Sequence, residues 1–464
     1  MQDCIAEALK HNFDVRVERY VPIEAKLQLE SAYAGYDPSL NLGGQHAFNE
    51  SGGGYLSGLV LPATISDENT FNSSLGGTLP TGTKYSLSGN IAETYGSTGG
   101  SPFDQTSGSF GVSVDQPLLK NLWIDSTRLA ISAAKNQVKY SLQGLRQQLI
   151  TTVSAVENAY YELIYARENL TVENEALDLA QTQLDQDRQR VEVGSLAPLD
   201  VQQDEAQVAQ SRASVIAAEF TLQTDDNTLK NLITDNYVTW QRVEVKPTAT
   251  LEAVRQLFDV QDSWSKGMAS RPDLLQAKVT LEQQGIQLKY DYNQIFPQLD
   301  LQASYGFNGN GREYSDALGQ MNEGSRPYYT YGGQLTMPLA NLAARSTYKS
   351  DKAVEQQDLL RLKQLEQNVM VEIDNAVKQA QSAWESVDAT KQARVYAEAA
   401  LDAEQKKYSV GKSTTFTVLQ LQNNLTTARS AEIRALANYQ EALTNLAQQE
   451  GSTLERRNVD LTVN

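Results

Sequence analysis

The chain is written twice, and each copy contains a helical pattern too long for a compact globule. Val193-Gly194-Ser195-Leu196 through Asp200-Val201 recurs 217 positions later as Val410-Gly411-Lys412-Ser413 through Thr417-Val418, and the same offset carries Arg128 onto Arg345. A second offset, 259, carries Asn12-Phe13-Asp14-Val15 onto Arg271-Pro272-Asp273-Leu274. It still holds where Pro38-Ser39-Leu40-Asn41-Leu42 meets Pro297-Gln298-Leu299-Asp300-Leu301. Two co-linear copies point to one duplicated unit, residues 1–240 and 241–464.

Each copy reads as helix, β segment, very long helix, turn, returning helix. In the first copy these fall at 3–36, 38–117, 126–193 and 199–232; in the second at 272–295, 298–338, 343–410 and 415–449, followed by a tail. The first long helix steps Leu163, Leu170, Leu177, Leu184, Val191, and its return steps Val201, Val208, Val215, Leu222, Leu229. Spacing by sevens is the seam of helices coiled around one another. At 1.5 Å per residue such a helix reaches roughly 100 Å. Gly194 and Gly411 sit where a left-handed C-terminal cap belongs. Pro198 and the Ser413-Thr414-Thr415 run suit the start of a returning helix. The remaining faces are polar, so these αα-hairpins need neighbours, from the other copy or from other subunits.

The segments before the long helices alternate with period two and are rich in Gly, Ser, Thr and Tyr. Strands are expected near 39–49, 70–79, 83–94 and 107–116, then near 298–308 and 328–337. Expected loops of about 20 residues at 50–69 and about a dozen at 95–106 contrast with a short turn at 80–82, as in bacterial outer-membrane barrels. Period alone leaves a soluble β-meander open. Six strands are too few to close a pore, and lipid forbids unpaired edges, so a membrane reading requires strands pooled by a cyclic oligomer.

Composition narrows the chemistry. A formal charge of −18 argues against nucleic acid. One cysteine, Cys4, and two histidines, His11 and His46, leave no disulfide framework and no expected Cys/His metal site. Cys4 lies in a helix-like run and reads as a small buried hydrophobe, with a lipid anchor as the minority reading. No apolar run approaches the ~18 residues of a transmembrane helix, and the opening Gln2-Asp3-Cys4 does not read as a signal peptide, as expected of either a cytosolic protein or a processed or truncated form. Gly411-Lys412-Ser413 imitates a phosphate-binding loop, but the glycine required five positions earlier is Lys406. No catalytic constellation and no cofactor are expected.

These residues resemble the TolC-like outer-membrane efflux proteins. The resemblance rests on the two Val-Gly tips, the Arg271-Pro272-Asp273-Leu274 box, and Pro117-Leu118 and Pro338-Leu339 before the long helices. It implies a mainly α fold with membrane β: a homotrimer whose outer-membrane β-barrel continues into a periplasmic coiled α-helical barrel. A collar of about 233–270 plus the tail would surround the middle. The implied function is an export duct of a tripartite efflux or type I secretion system in a Gram-negative-type outer membrane. Its implied partners are outer-membrane lipid, a periplasmic adaptor and an inner-membrane pump. Val193, Gly194, Ser195, Val410, Gly411 and Lys412 would form the docking tips. Asp200 matches the family's gate carboxylate and Tyr408 its phenolic partner, while Ser413 replaces the linking arginine. Thr417 and Gln420 replace two constricting aspartates, leaving Asp204 and Glu205 as acids from the first copy. The family usually has four strands per subunit, so 70–79 and 83–94 are an additional pair, either in the wall or outside it. The alternative is a soluble coiled-coil scaffold.

Overall fold

The computed structural model describes residues 1–60 and 63–459. Expected outer-loop residues 61 and 62, and tail residues 460–464, lie outside them.

The first copy opens with α1 (Gln2–His11), α2 (Phe13–Glu18), α3 (Tyr20–Ala32) and a 3-10 turn (Tyr33–Tyr36). The single helix expected over 3–36 is therefore broken. Asn12 has extended backbone (φ −60°, ψ 128°), and its side chain accepts from the Asp14 and Val15 amides, restarting the helix as an N-cap. Strands β1 (Ser39–Ser51), β2 (Tyr55–Leu56), β3 (Leu59–Val60), β4 (Thr64–Thr78), β5 (Lys84–Thr98) and β6 (Ser101–Pro117) follow. Next come α4 (Ser126–Glu192), α5 (Pro198–Ile233) and short α6 (Tyr237–Trp240). The second copy runs α7 (Val260–Ser270), α8 (Pro272–Gln294), β7 (Gln298–Gly311), α9 (Tyr314–Glu323), β8 (Pro327–Thr336), α10 (Leu342–Ser409), α11 (Thr415–Glu450) and α12 (Thr453–Arg456).

Contacts gather the chain into two compact units, and both draw on both copies. One comprises Met1–Ile23, Lys139–Lys278 and Leu360–Asn464; the other comprises Glu24–Val138 and Val279–Leu359. A division at residue 240 does not describe the packing, because hairpins of both copies share cores and strands of both copies share a sheet.

In the first unit the seven-residue ladder is the packing surface. Leu163, Leu184, Val215 and Leu229 are buried, and the other ladder positions are half-buried. Ile150, Val153, Val156 and Tyr160 of α4 meet Ile5 and Val15, Leu229 of α5 and Ala437 of α11 in one cluster. Leu274, Val369, Ile373 and Leu446 form another, closed by Trp264 and Met268 of α7. The expected collar region is an extended strap over 241–259 leading into α7. The Tyr160 hydroxyl receives the Thr248 and Ala249 amides at 3.2 and 3.3 Å, and the Tyr439 hydroxyl donates to the Val254 carbonyl at 2.8 Å. Arg271, from the motif before α8, holds Asp273 with two bonds (3.0 and 2.6 Å) and reaches Glu372 of α10 (2.7 Å) and Gln449 of α11 (3.0 Å). Its sequence counterpart Asn12 instead caps α2 and donates to the Leu232 carbonyl at 3.0 Å. Different polar chemistry pins the same junction, and the fourth residue of each motif, Val15 and Leu274, is fully buried.

The second unit holds a six-stranded antiparallel sheet in the order β1-β4-β5-β6-β7-β8. The additional pair, β4 and β5, is thus integral to the sheet. The loop expected at 95–106 is strand instead: β5 and β6 pair from Thr98↔Ser101 onward. Gly99 and Gly100, at φ +61° and +84°, supply the two left-handed residues of a tight hairpin turn. The loop expected at 50–69 also shortens, because β4 starts at Thr64 and the small β2–β3 hairpin occupies part of the rest. Loop-length asymmetry is therefore much weaker than the alternation suggested. Register sorts the two faces by chemistry. One row reads Leu40, Leu75, Leu87, Val112, Tyr305, Tyr329, and every one of these side chains is exposed. A row further along the strands, on the opposite face, reads Gly43, Asn72, Asn90, Ser109, Asn308. Among the described residues no helix is long and apolar enough to cross a membrane.

Candidate functional site

The two hairpin turns are built alike. In the first, Gly194 at φ +73° ends α4, its amide bonding to the Val191 carbonyl and the Ser195 amide to that of Arg190. In the second, Gly411 at φ +72° repeats this, with the Lys412 amide on the Lys407 carbonyl at 2.9 Å. A Cβ on either glycine would meet nothing within 4 Å, so the left-handed backbone alone selects glycine. Pro198 begins α5, and Thr414 caps α11 through the Thr417 amide. Val193 and Val410 are 78% and 67% exposed, two apolar knobs at the tips.

Behind the knobs lies a buried polar cluster that joins all four long helices. Asp187 of α4 is fully buried and accepts from Gln183 Nε2 (2.7 Å), the Tyr408 hydroxyl (2.7 Å) and the Thr415 hydroxyl (3.4 Å). Arg190 pairs with it at 3.4 Å and lies over the Tyr408 ring, 4.6 Å from its centre. Burial, and then the Asp187 bond and charge, push the Tyr408 phenol up despite Thr415 and Arg190. Asp204 of α5 is also fully buried, and neither of its carboxylate oxygens meets a donor. Burial raises its carboxyl to about 7, with Asp187 and then Asp200 adding to the rise. A proton on this carboxyl removes the repulsion between two buried carboxylates, Asp204 and Asp187.

This arrangement differs from the sequence-based assignment. The phenol of Tyr408 is tied to Asp187; Asp200 is half-buried and lies near Asp204. Asp204 and Glu205 lie in different surroundings. Asp204 points into the hairpin, whereas Glu205 is exposed and receives Arg188 of α4 at 2.8 Å. Ser413, standing where the family's arginine belongs, donates to Glu404 at 2.6 Å, and Lys407 holds Glu404 from the other side at 2.7 Å, lowering its carboxyl. Thr417 serves the α11 cap; Gln420 and Lys412 are exposed. Further along, Gln207 of α5 and Asn423 of α11 exchange reciprocal bonds at 2.8 and 3.0 Å. Asp187 was the missed residue. Its signal was available: Ala180, Leu184, Asp187 and Val191 step by fours and threes along the apolar seam, as do Val201, Asp204 and Val208. Among the described residues no cluster of His, Cys, Asp or Glu could hold a metal ion.

The chain thus carries a duplicated hairpin pair with buried polar keys and exposed apolar tips, and an antiparallel sheet with one apolar face. The chain belongs to the outer membrane efflux protein family, whose description matches residues 4–234 and 265–452. It is similar to the outer membrane efflux protein BepC of Brucella suis, with 23% identity over 71% of this chain and 69% of that protein. It is also similar to the outer membrane protein TolC of Escherichia coli, with 28% identity over 62% of this chain. The match spans 59% of the length of that relative. In fold it resembles the CmeC outer membrane channel of Campylobacter jejuni, with TM-score 0.70 and 14% identity over 100% of this chain and 90% of that one.

Proposed function

We propose that the chain is one protomer of a threefold outer-membrane duct, a passive conduit whose helical tips dock a periplasmic adaptor serving an inner-membrane pump. The observation that supports it best is the six-stranded sheet with one apolar face, one polar face and, among the described residues, both edge strands unpaired on their outer sides. In lipid such edges must be paired. With six strands, β1 and β8 run in opposite directions, so β1 of one protomer pairs antiparallel with β8 of the next, and a ring closes. Three copies make eighteen strands. Barrels of ~16–18 strands leave an aqueous channel, and here the Asn/Ser/Gly/Thr face would line it. The exposed apolar residues Ile216 and Phe220 of α5, and Val371 and Tyr396 of α10, suit burial against neighbouring protomers.

Val193 and Val410 with the Gly-Ser and Gly-Lys turns form the adaptor-docking ends, and the Asp187–Asp204–Tyr408–Thr415 cluster holds the hairpins together behind them. Gating is a parting of these hairpins. Purified protein in planar bilayers tests the reading. Stepwise conductance from a species three times the 51.2 kDa chain mass supports it, and a non-conducting monomer that stays in solution without detergent refutes it.

A further inference from the structure

Helix α9, in the connection between β7 and β8, lies on the apolar face of the sheet, and the close approach is set by glycines. A Cβ on Gly309 would stand 2.0 Å from the Ala317 carbonyl, one on Gly311 would strike the Asp316 side chain at 2.3 Å, and one on Gly108 would touch Met321 at 3.0 Å. Ala317 is fully buried against this floor, and Tyr314 meets Phe71 edge-on at 6.2 Å. Between α9 and the sheet an open-sided cleft of about 700 Å³ remains, walled by Phe71, Ile91, Phe110, Phe307, Leu318 and Met321. That volume lies within the ~300–1,000 Å³ of ligand clefts.

We propose that this cleft binds one acyl chain of a zwitterionic glycerophospholipid, making α9 a strap that holds lipid against the barrel wall. The proposal rests on the apolar face being the lipid-facing one. The cleft is continuous with that face through Leu42 and Phe71, both open to solvent in the isolated chain. Its walls come mainly from β4, β5, β6 and β7, the middle of the sheet, whereas a neighbouring protomer would join at β1 and β8. A second copy is therefore poorly placed to fill it. Around α9 the charges are predominantly acidic: Glu93, Glu313, Asp316 and Glu323 against Arg312 and Arg326. Such a rim repels an anionic headgroup and tolerates a zwitterionic one.

Wild-type protein and two cleft-filling variants, Ser73→Phe and Leu42→Trp, would be reconstituted in vesicles of phosphatidylethanolamine and phosphatidylglycerol. After detergent extraction, native mass spectrometry would count retained lipid. One phosphatidylethanolamine per wild-type protomer is expected, lost from both filling variants but kept by Leu335→Phe, which lies on the same face near the other end of its strand. Conductance equal to wild type shows that a variant is folded, and a failed duct reading would show there independently of lipid. The proposal is overturned if conducting wild-type protein retains no lipid, if both filled variants retain it equally, or if phosphatidylglycerol is the lipid kept. Oxidative cross-linking of Leu318→Cys into protomer pairs would assign the cleft to a second copy and overturn it too.

Discussion

Asp204 is a carboxylate placed where an apolar residue would ordinarily complete the seam between α4 and α5. Its folded-state value of about 7 lies above the ordinary 3.8, so the folded tip takes up a proton as pH falls. The stability this contributes is fully present below about pH 4 and is lost as pH rises through 7. Protection of the hairpin-tip amides against hydrogen exchange, relative to their intrinsic rates, should therefore fall between pH 6 and pH 8. Asp204→Asn, which keeps a donor towards Asp187 at every pH, should abolish that step and add about 1–3 kcal/mol at pH 8. Exchange with the same pH step in the variant would remove Asp204 from the account. Gly411→Ala isolates a different effect. With nothing for its methyl to strike, only the left-handed backbone is taxed, by about 1–2 kcal/mol, and loss confined to the second tip in the same exchange measurement is the expected signature. At this scale the two glycines were legible because their conformation follows from local rules. Asp187 was hidden among many acids on polar helices, and only its phase on the seam set it apart.

Among the elements, short α12 shows how the end of the second copy is tied to the first. Glu157 of α4 is fully buried and receives Thr444 of α11 at 2.7 Å, Arg456 at 2.5 Å and the Arg457 guanidinium. Burial alone would raise its carboxyl, but Arg457, Arg456 and Thr444 outweigh that and hold it below the ordinary value. The sign is opposite to that of Asp204: this contribution is present above the ordinary carboxylate range and lost as pH falls through the lowered value. Glu157→Gln leaves two arginines without their shared anion and should cost about 3–5 kcal/mol. Thermal unfolding at pH 7 should record the loss, and a difference that shrinks towards pH 3 would confirm its source. Element legibility followed periodicity. Helices α4, α5, α10 and α11 begin and end within a residue or two of their expected bounds because the seam runs their whole length. Helix α9 was invisible: ten residues with Gly319 inside them give too few turns for a pattern to emerge. The β5–β6 connection was misread as a loop because Gly, Ser and Thr populate both turns and polar strand faces.

For the whole molecule, the duplication foretold two hairpins and two β contributions but not how they combine. Packing interleaves the copies, since neither hairpin can bury its seam alone and neither strand set makes the sheet alone. The additional β4–β5 pair changes the scale of the proposed assembly. It is set between β1 and β6 with continuous register on both sides, and standing outside the proposed wall would require breaking both of those ladders. A ring built this way is half again as wide in strands as one made from four per subunit. Pore size should follow: partitioning of neutral polymers of graded size should show a larger cut-off than in a twelve-stranded relative, and an equal cut-off would mean that the polar face does not line the pore.

The most direct measurement is a cross-section of the reconstituted protein at membrane level by electron cryomicroscopy. Eighteen strands around a threefold axis, with β1 of each protomer paired to β8 of the next, is the expected result. A ring of twelve with β4 and β5 outside it, or a monomer whose sheet stays open at both edges, would contradict it.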